Sequence, residues 1–252
     1  MKIDFPSAHH IRQQRQLWQT AFGDTDAFLD SFFRTAYSPN RCRCILIDEE
    51  IAAILYWIDC SLKDQKLAYI YAVVTHPGHR GKGLCRMLME DTHSLLRSRG
   101  YSGAVLVPQQ EELRKMYAGM GYRNAGSLNC FACTAGEMPV PLRSVGPEEF
   151  STVRRKMLPE NAVIQEEDGL AFLAEQLQFY AGDGFLLAAY SDNERLFVPE
   201  LLGDPSAAPG ILQALGFNQG NFRTPSGEIP FAMFCPLSDS AIVPAYFGFA
   251  FD

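Results

Sequence analysis

The chain has 252 residues, of which 47% are hydrophobic, and a formal net charge of −7 at pH 7. This length exceeds that of a usual single domain and favours two units, each with enough apolar residues to build a core. Because nucleic-acid binding depends largely on Lys and Arg that neutralise phosphate, the acidic balance argues against a nucleic-acid partner. No apolar run approaches the roughly 20 residues that span a bilayer, and the N-terminus lacks a signal-peptide pattern, so we expect a cytoplasmic protein without membrane contact.

The cysteines favour reduced thiols over disulfides or a metal site. There are seven of them, an odd number without a secretory context. Cys130 and Cys133 have the spacing of a metal or redox pair, but no second pair or histidine cluster accompanies them. We therefore expect no bound metal.

The first predicted elements are a short strand and two helices. Residues 2–5 are a candidate first strand, and residues 9–22 place apolar side chains at helical spacing up to Gly23, which favours a helix end. Asp24 is the candidate cap of a second helix, whose broad apolar face ends before Pro39. Most aromatic residues of both helices are expected to lie in the core.

Three strands are predicted next. Residues 43–47 and 51–58 predict a hairpin around a polar turn, and residues 59–66 predict a loop. Residues 67–75 form an apolar, β-branched and aromatic run, which is typical of a buried strand.

The segment after this strand combines glycine, positive charge and the start of a helix. Arg80-Gly81-Lys82-Gly83 leads into an amphipathic helix over residues 84–98. The first four N–H groups of a helix have no partner within it, and the helix dipole adds positive charge there, so phosphate binds well at such a position. Gly81 and Gly83 lack a Cβ, which lets the backbone approach a bulky anion closely. The pattern therefore predicts a pyrophosphate-binding loop.

Two common phosphate-binding patterns do not fit this loop. A dinucleotide loop of the form G-x-G-x-x-G would need glycine where Arg86 stands. A Walker loop would need Lys and then Ser or Thr where Gly83 and Leu84 stand.

A second motif lies downstream of the loop helix. Residues 104–107 predict a short strand, and residues 111–120 predict a helix that carries Tyr117. Gly121 and Tyr122 close this helix.

The two motifs, in this order and spacing, resemble those of the GNAT family of N-acetyltransferases. In that family a strand usually ending in Val-x-Pro leads to Gln/Arg-x-x-Gly-x-Gly/Ala. Here Val74-Thr75-His76-Pro77 leads to Gly78-His79-Arg80-Gly81-Lys82-Gly83. The family's second motif places a helix tyrosine four residues before Gly-Phe or Gly-Tyr, which Tyr117 matches. The sequence departs at Gly78, where Gln or Arg is usual, and at Gln110 and Leu113, where Asn and Ala are often found.

The resemblance implies an α/β (α+β) GNAT fold, in which a mixed twisted sheet has helices on both faces. It also implies acetyl-CoA as co-substrate, with its pantetheine arm paired to backbone groups of Val73 and Val74. The residues implied to bind the pyrophosphate are His79, Arg80, Gly81, Lys82, Gly83 and Leu84.

The resemblance further implies that Tyr117 is the general acid. A phenol with a pKa of about 10 stays protonated at neutral pH and can donate a proton to a thiolate whose acid has a pKa of about 8.5. The alternative is a tyrosine that only packs on the core. The general base stays open between Asp59, the hydroxyls of Tyr69 and Tyr71 acting through water, and the C-terminal carboxylate of Asp252. Asp252 is included because the chain ends in an unusually apolar segment, and some multidomain GNAT enzymes use their C-terminal carboxylate.

The second half of the chain predicts a repeat of the same element order. A proline-rich segment over residues 137–141 suggests a division near 138, with a GNAT catalytic domain over residues 1–138 and a degenerate GNAT-like domain with a docking C-terminal tail over residues 139–252. At the position equivalent to the glycine loop stand Asp204 and two prolines, and Pro209 removes an amide donor. We therefore expect that this half does not bind coenzyme A.

Three functions agree with these patterns. The first is acetyl transfer from acetyl-CoA to a primary amine of a small molecule, peptide or protein. The second is a non-catalytic acetyl-CoA sensor or interaction module, and the third is an assembly scaffold. Binding without turnover would favour the second, and no binding would favour the third. The acceptor and the oligomeric state stay open.

Overall fold

A computed structural model of the chain describes residues 1–250, which form two compact units. The first unit contains Met1–Arg123 and Phe234–Ile242, and the second contains Asn124–Met233 and the residues from Val243 on. The second unit therefore begins before residue 138, where the sequence suggested a division. Asp252, one of the candidate bases, lies outside the described residues.

The first unit contains the first five strands and the first four helices. The strands are β1 (Lys2–Asp4), β2 (Cys42–Ile47), β3 (Glu50–Leu62), β4 (Gln65–Thr75) and β5 (Gly103–Leu106). The helices are α1 (Ile11–Phe22), α2 (Asp26–Thr35), α3 (Leu84–Ser98) and α4 (Glu111–Ala118). Strands β1 to β4 pair antiparallel in chain order, and β5 pairs parallel to β4. The glycine loop therefore connects β4 to α3, as predicted.

The remaining elements have the following bounds. The strands are β6 (Arg123–Thr134), β7 (Leu142–Ser144), β8 (Gln178–Gly182), β9 (Phe185–Asp192), β10 (Arg195–Gly203), β11 (Gln219–Pro225) and β12 (Ile229–Pro236). The helices are α5 (Pro147–Met157), α6 (Glu167–Gln176) and α7 (Ala208–Leu215). The sheet order in the second unit is β6-β11-β10-β9-β8-β7, and β10 pairs parallel to β11.

The second unit repeats the element order of the first. β7, α5, α6, β8, β9 and β10 follow one another as β1, α1, α2, β2, β3 and β4 do, and α7 and β11 then correspond to α3 and β5. The repeat differs after β11, which leads to β12 without a helix like α4. The duplicated architecture predicted from the sequence is confirmed.

The helix cap predicted at Asp24 is wrong. The Thr25 side chain accepts a hydrogen bond from the Phe28 N–H at 3.2 Å and caps α2. The Asp24 carboxylate instead accepts a hydrogen bond from Trp18 Nε1 at 2.7 Å. Both side chains can cap a helix, and the buried indole N–H needs the partner that Asp24 provides.

The loop predicted over residues 59–66 is also wrong. β3 continues to Leu62 and β4 starts at Gln65, so that a turn with Lys63 at φ 55° closes a long hairpin. Cys60 and Leu62 are buried, which explains why the strand extends past the polar Asp59.

The sequence predicts one helix over residues 170–180, but the helix ends at Gln176 and β8 follows it. Tyr180 pairs with Ser144 of β7 and with Leu187 of β9. The ring of Phe179 stacks on Phe150 of α5 at 4.1 Å between centroids. These cross-strand and packing contacts are not local in the sequence, which is why the helical periodicity was misleading.

The last described residues pack within the second unit. Tyr246, Phe247 and Phe249 are buried. The Val163 N–H donates to the Tyr246 carbonyl at 2.8 Å, and the Ala245 N–H donates to the Asn161 carbonyl at 2.9 Å. The apolar end of the chain is thus held by backbone hydrogen bonds as well as by burial.

Candidate active site

The central feature of the first unit is a bulge in β4. Tyr71 pairs with Tyr56 and Val74 pairs with Ile54, so β4 has one more residue than β3 in this interval. Ala72 adopts φ 47°, a left-handed conformation that is energetically unfavourable for any residue with a side chain. Such bulges redirect the backbone of a strand and are common beside active sites.

β4 also separates from β5 just before this bulge. The two strands pair from Leu67 with Gly103 to Tyr69 with Val105, and the described residues contain no further β4–β5 pair. Val73 is half-buried and Val74 is buried on the part of β4 beyond this separation. The backbone of β4 is therefore accessible to an extended ligand along this edge, where the resemblance places the pantetheine arm.

The glycine loop has the backbone conformation that its sequence predicts. Gly81 and Gly83 adopt φ 75° and 76°, and no heavy atom lies within 4 Å of a Cβ built on either residue. Glycine is therefore needed at both positions because the backbone is left-handed there, and not because a larger side chain would clash. The loop places the first N–H groups of α3, from Leu84 on, at its end.

The basic side chains of the loop make hydrogen bonds to backbone carbonyls. Arg80 Nε donates to the Thr75 carbonyl at 3.2 Å, and Lys82 Nζ donates to the Gly78 carbonyl at 3.0 Å. His79 Nδ1 lies 3.4 Å from Lys82 Nζ. Since Arg80 and Lys82 are exposed, the loop remains positively charged at its surface.

Arg86, in the first turn of α3, contacts the end of α4. Its Nη1 donates to the Gly119 carbonyl at 2.9 Å and lies 3.7 Å from Glu90 Oε1. The side chain thus connects α3 to the C-terminal end of α4, where carbonyl groups lack partners within the helix.

Tyr117 lies on α4 and is buried, with 7% of its surface exposed. Its ring packs against Tyr122 in a T-shaped arrangement at 5.7 Å between centroids. Burial raises the pKa of Tyr117, and the nearby Cys85 thiol in the first turn of α3 raises it further. The phenol is therefore protonated at neutral pH, as a general acid must be.

Asp59 does not lie beside the bulge. It pairs with Ala68, three residues along β4 from Tyr71, which is about 10 Å in a strand. Its carboxylate accepts a hydrogen bond from the Tyr101 hydroxyl and lies 3.3 Å from Lys66 Nζ. The residue belongs to an ion-pair network at the other end of the hairpin.

Aromatic side chains of α1, α2, β3 and β4 pack around the bulge. The Trp18 ring lies 5.1 Å from Tyr56 and 5.4 Å from Tyr71 between centroids, and Phe32 lies 5.9 Å from Tyr71. Of these rings, Tyr71 alone is half-buried, and the others are buried. Trp57, the residue after Tyr56 in β3, donates from Nε1 to the Tyr101 hydroxyl at 3.2 Å.

Gln14 is a buried residue of this cluster that sequence reasoning missed. Its Oε1 accepts a hydrogen bond from the Tyr56 hydroxyl at 3.0 Å, and its Nε2 donates to the Tyr37 hydroxyl at 3.4 Å. A signal existed, because Gln14 lies three and four residues before Leu17 and Trp18 and so shares their helix face.

The second unit repeats the bulge but not the opening. β10 has one extra residue between Phe197 and Glu200, so that Val198 corresponds to Ala72. β10 pairs with β11 from Arg195 through Val198, into the bulge itself. Since Phe197 and Val198 correspond to Tyr71 and Ala72, the sheet pairing of the second unit extends through these two positions, at which β4 has already separated from β5 in the first unit.

The acidic residue at the second unit's equivalent of the glycine loop is charged. The Asp204 carboxylate accepts a hydrogen bond from the Ser206 N–H at 2.9 Å, and hydrogen bonds from Ser206 lower the pKa of Asp204. A carboxylate at this position repels phosphate. This supports the prediction that the second unit does not bind coenzyme A.

Three further features of the described residues concern their thiols, metal-binding groups and helices. All seven cysteines are thiols without a disulfide. Residues 1–250 contain no group of three or more His, Cys, Asp or Glu side chains placed to hold a metal ion. None of the described helices is long and apolar enough to cross a membrane.

A bulged strand that separates from its parallel neighbour, next to a glycine loop at a helix N-terminus, is the arrangement expected of a GNAT fold. Residues 2–125 match the family described as "Acetyltransferase (GNAT) domain". Residues 2–125 therefore belong to the GNAT family, and both units of the chain have the GNAT fold. No curated protein matches the sequence.

Three solved structures are similar to most of the chain. A GCN5-related N-acetyltransferase from Kribbella flavida has a TM-score of 0.70 and 16% identity, and the match covers 92% of this chain and 70% of that one. Eis1 from Mycobacterium abscessus has a TM-score of 0.68 and 12% identity, with 94% and 74% covered. A tandem GNAT protein from the clavulanic acid biosynthesis pathway has a TM-score of 0.58 and 9% identity, with 95% and 100% covered. At these identities the likeness shows the fold alone.

Proposed function

We propose that the protein is an N-acetyltransferase that moves an acetyl group from acetyl-CoA to a primary amine of a small molecule, peptide or protein. The observation that carries this proposal is the combination, within one unit, of the open bulged edge of β4 and the glycine loop at the start of α3. Each feature alone is compatible with a simple strand-to-helix connection. Together they provide an edge for an extended arm and, at its end, a site for a pyrophosphate.

In this proposal the backbone of Val73 and Val74 pairs with the pantetheine arm. The pyrophosphate binds to the loop formed by His79, Arg80, Gly81, Lys82, Gly83 and Leu84. Because the backbone of this loop makes the contacts, the absence of Gln or Arg at position 78 removes one side-chain contact and leaves the amide groups in place.

The proposed reaction begins with attack of an uncharged amine on the thioester carbonyl. The bound thioester and amine are held in one orientation, which supplies much of the rate. The C–N bond forms, the C–S bond breaks, and Tyr117 donates its proton to the departing thiolate. The amine loses a proton to a base, for which we retain the Asp252 carboxylate as the candidate.

The binding step is tested by calorimetric titration of acetyl-CoA into the wild-type protein and into a variant with Gly81→Glu and Gly83→Glu. The matched control carries Gly23→Glu and Gly100→Glu, since these exposed glycines have φ 76° and 78° and equal space around them, but lie outside the loop. We expect binding in the wild type and control and loss of binding in the loop variant. Equal loss in both variants would show that backbone strain, and not the loop, explains the result.

The catalytic step is tested by incubating acetyl-CoA with a panel of primary amines and measuring the acetylated product by mass spectrometry. Turnover with at least one amine supports the transferase. Binding of acetyl-CoA without turnover on any amine would favour the sensor or interaction module instead. No binding at millimolar acetyl-CoA would contradict both.

A further inference from the structure

The Tyr117 hydroxyl makes no hydrogen bond within residues 1–250, although the side chain is buried. Its direction is therefore determined by the packing of its ring. The neighbour that provides this packing is Tyr122, whose ring meets Tyr117 at 63°. The Tyr122 N–H also donates to the Tyr117 carbonyl at 3.2 Å, which connects the two residues through the backbone.

Tyr122 is itself held by His93 on the inner face of α3. The His93 Nε2 atom and the Tyr122 hydroxyl are joined by a hydrogen bond of 2.8 Å, and both residues are buried. The His93 and Tyr122 rings lie 5.4 Å apart between centroids. A continuous set of contacts thus runs from α3 through Tyr122 to Tyr117.

This polar pair is not needed to fill the core. Two apolar side chains of similar shape would pack at this position with nearly equal stability, because folding exchanges hydrogen bonds to water for the internal one. What the hydrogen bond adds is a single orientation of the Tyr122 ring, since a buried donor or acceptor turned away from its partner is costly.

We propose that His93 is a positioning residue for the general acid, which it orients by holding Tyr122 against Tyr117. This inference rests on the proposed acetyl transfer and on the acid role of Tyr117 within it. Arg86 provides another connection between α3 and the end of α4, through its hydrogen bond to the Gly119 carbonyl. His93 and Tyr122 therefore orient the Tyr117 ring, whereas Arg86 holds the C-terminal end of α4 against α3.

The test compares the steady-state kinetics of five variants with those of the wild type. His93→Leu and Tyr122→Phe each remove the hydrogen bond, and Tyr122→Phe keeps the ring. We expect each to lower kcat about tenfold while KM for acetyl-CoA changes less than twofold. His93→Gln keeps one donor and one acceptor at this position, and we expect it to retain kcat within about threefold. In a Tyr117→Phe background, His93→Leu should cause no further loss.

Several results would overturn the inference. The first is an equal fall in kcat from His93→Leu in the wild-type and Tyr117→Phe backgrounds. The second is a fall in kcat for His93→Gln as large as that for His93→Leu, and the third is a rise in KM in place of a fall in kcat. Tyr122→Phe keeps the inference testable if His93→Leu does not fold. A protein that binds acetyl-CoA but transfers no acetyl group overturns the proposed function and this inference together, whereas an active enzyme indifferent to His93 overturns this inference alone.

Discussion

Acidification should destabilise the first unit through one buried histidine. Burial, with a smaller contribution from the positive charge of Arg97, lowers the pKa of His93 from 6.5 to about 4. In the unfolded chain the imidazole regains its ordinary pKa of about 6.5. Between these values the unfolded state binds a proton that the folded state does not, so stability falls as the pH decreases. The linkage removes about 2 kcal/mol between pH 7 and pH 5, and about 3 kcal/mol by pH 4.

Tryptophan fluorescence measures this effect selectively. The chain contains two tryptophans, Trp18 and Trp57, and both are buried in the first unit. Urea unfolding should show that, between pH 7 and pH 5, the free energy of unfolding falls by about 2 kcal/mol more in the wild type than in His93→Gln. The glutamine keeps a hydrogen-bond partner for Tyr122 but does not titrate. The control variant, His9→Gln, replaces an exposed histidine, and its free energy of unfolding should fall by as much as that of the wild type. Equal losses in the wild type and His93→Gln would refute the reasoning.

The glycine loop and its helix were predictable because their signals are local. The sequence predicts a helix over residues 84–98, and α3 spans Leu84–Ser98. Glycine at positive φ, helical periodicity and a following Gly100 all lie within one short segment, so no distant contact was needed to interpret them.

The bulge of β4 was not predictable because it is a property of two paired strands. Nothing in the run from Leu67 to Thr75 distinguishes Ala72 from its neighbours, and the extra residue becomes visible only against the register of β3. The contact of β5 with Phe234, which belongs to the same unit, was missed for a related reason. A Cβ on Gly103 would lie 2.2 Å from the Phe234 ring, and this close packing joins residues that are far apart in the sequence.

The two units share a fold but differ in the features on which the proposed acetyl-CoA site depends. Both have a bulge on the strand before the loop, so the bulge alone does not create a site. In the second unit the sheet hydrogen bonds extend to Val198, and the equivalent of the glycine loop contains a carboxylate, Asp204. We therefore propose that an open edge and a positively charged, glycine-containing loop have to be present together for acetyl-CoA to bind.

Two further changes test the strained strand and the buried charges. Ala72→Val should destabilise the first unit by about 2 kcal/mol, because a β-branched side chain is poorly tolerated at positive φ, whereas Ala72→Gly should not; urea unfolding followed by tryptophan fluorescence checks this. In the second unit Arg154 Nε donates to Glu200 Oε2 at 2.6 Å, and the Tyr246 hydroxyl donates to Glu200 Oε1 at 2.9 Å, all of them buried. Arg154→Met alone leaves a buried carboxylate without its cation and should cost about 3–5 kcal/mol, whereas Arg154→Met with Glu200→Leu should cost much less. Amide hydrogen exchange in β9 and β10 measures both variants, and equal loss of protection in the single and the double variant would show that packing, and not an unpaired charge, determines the cost.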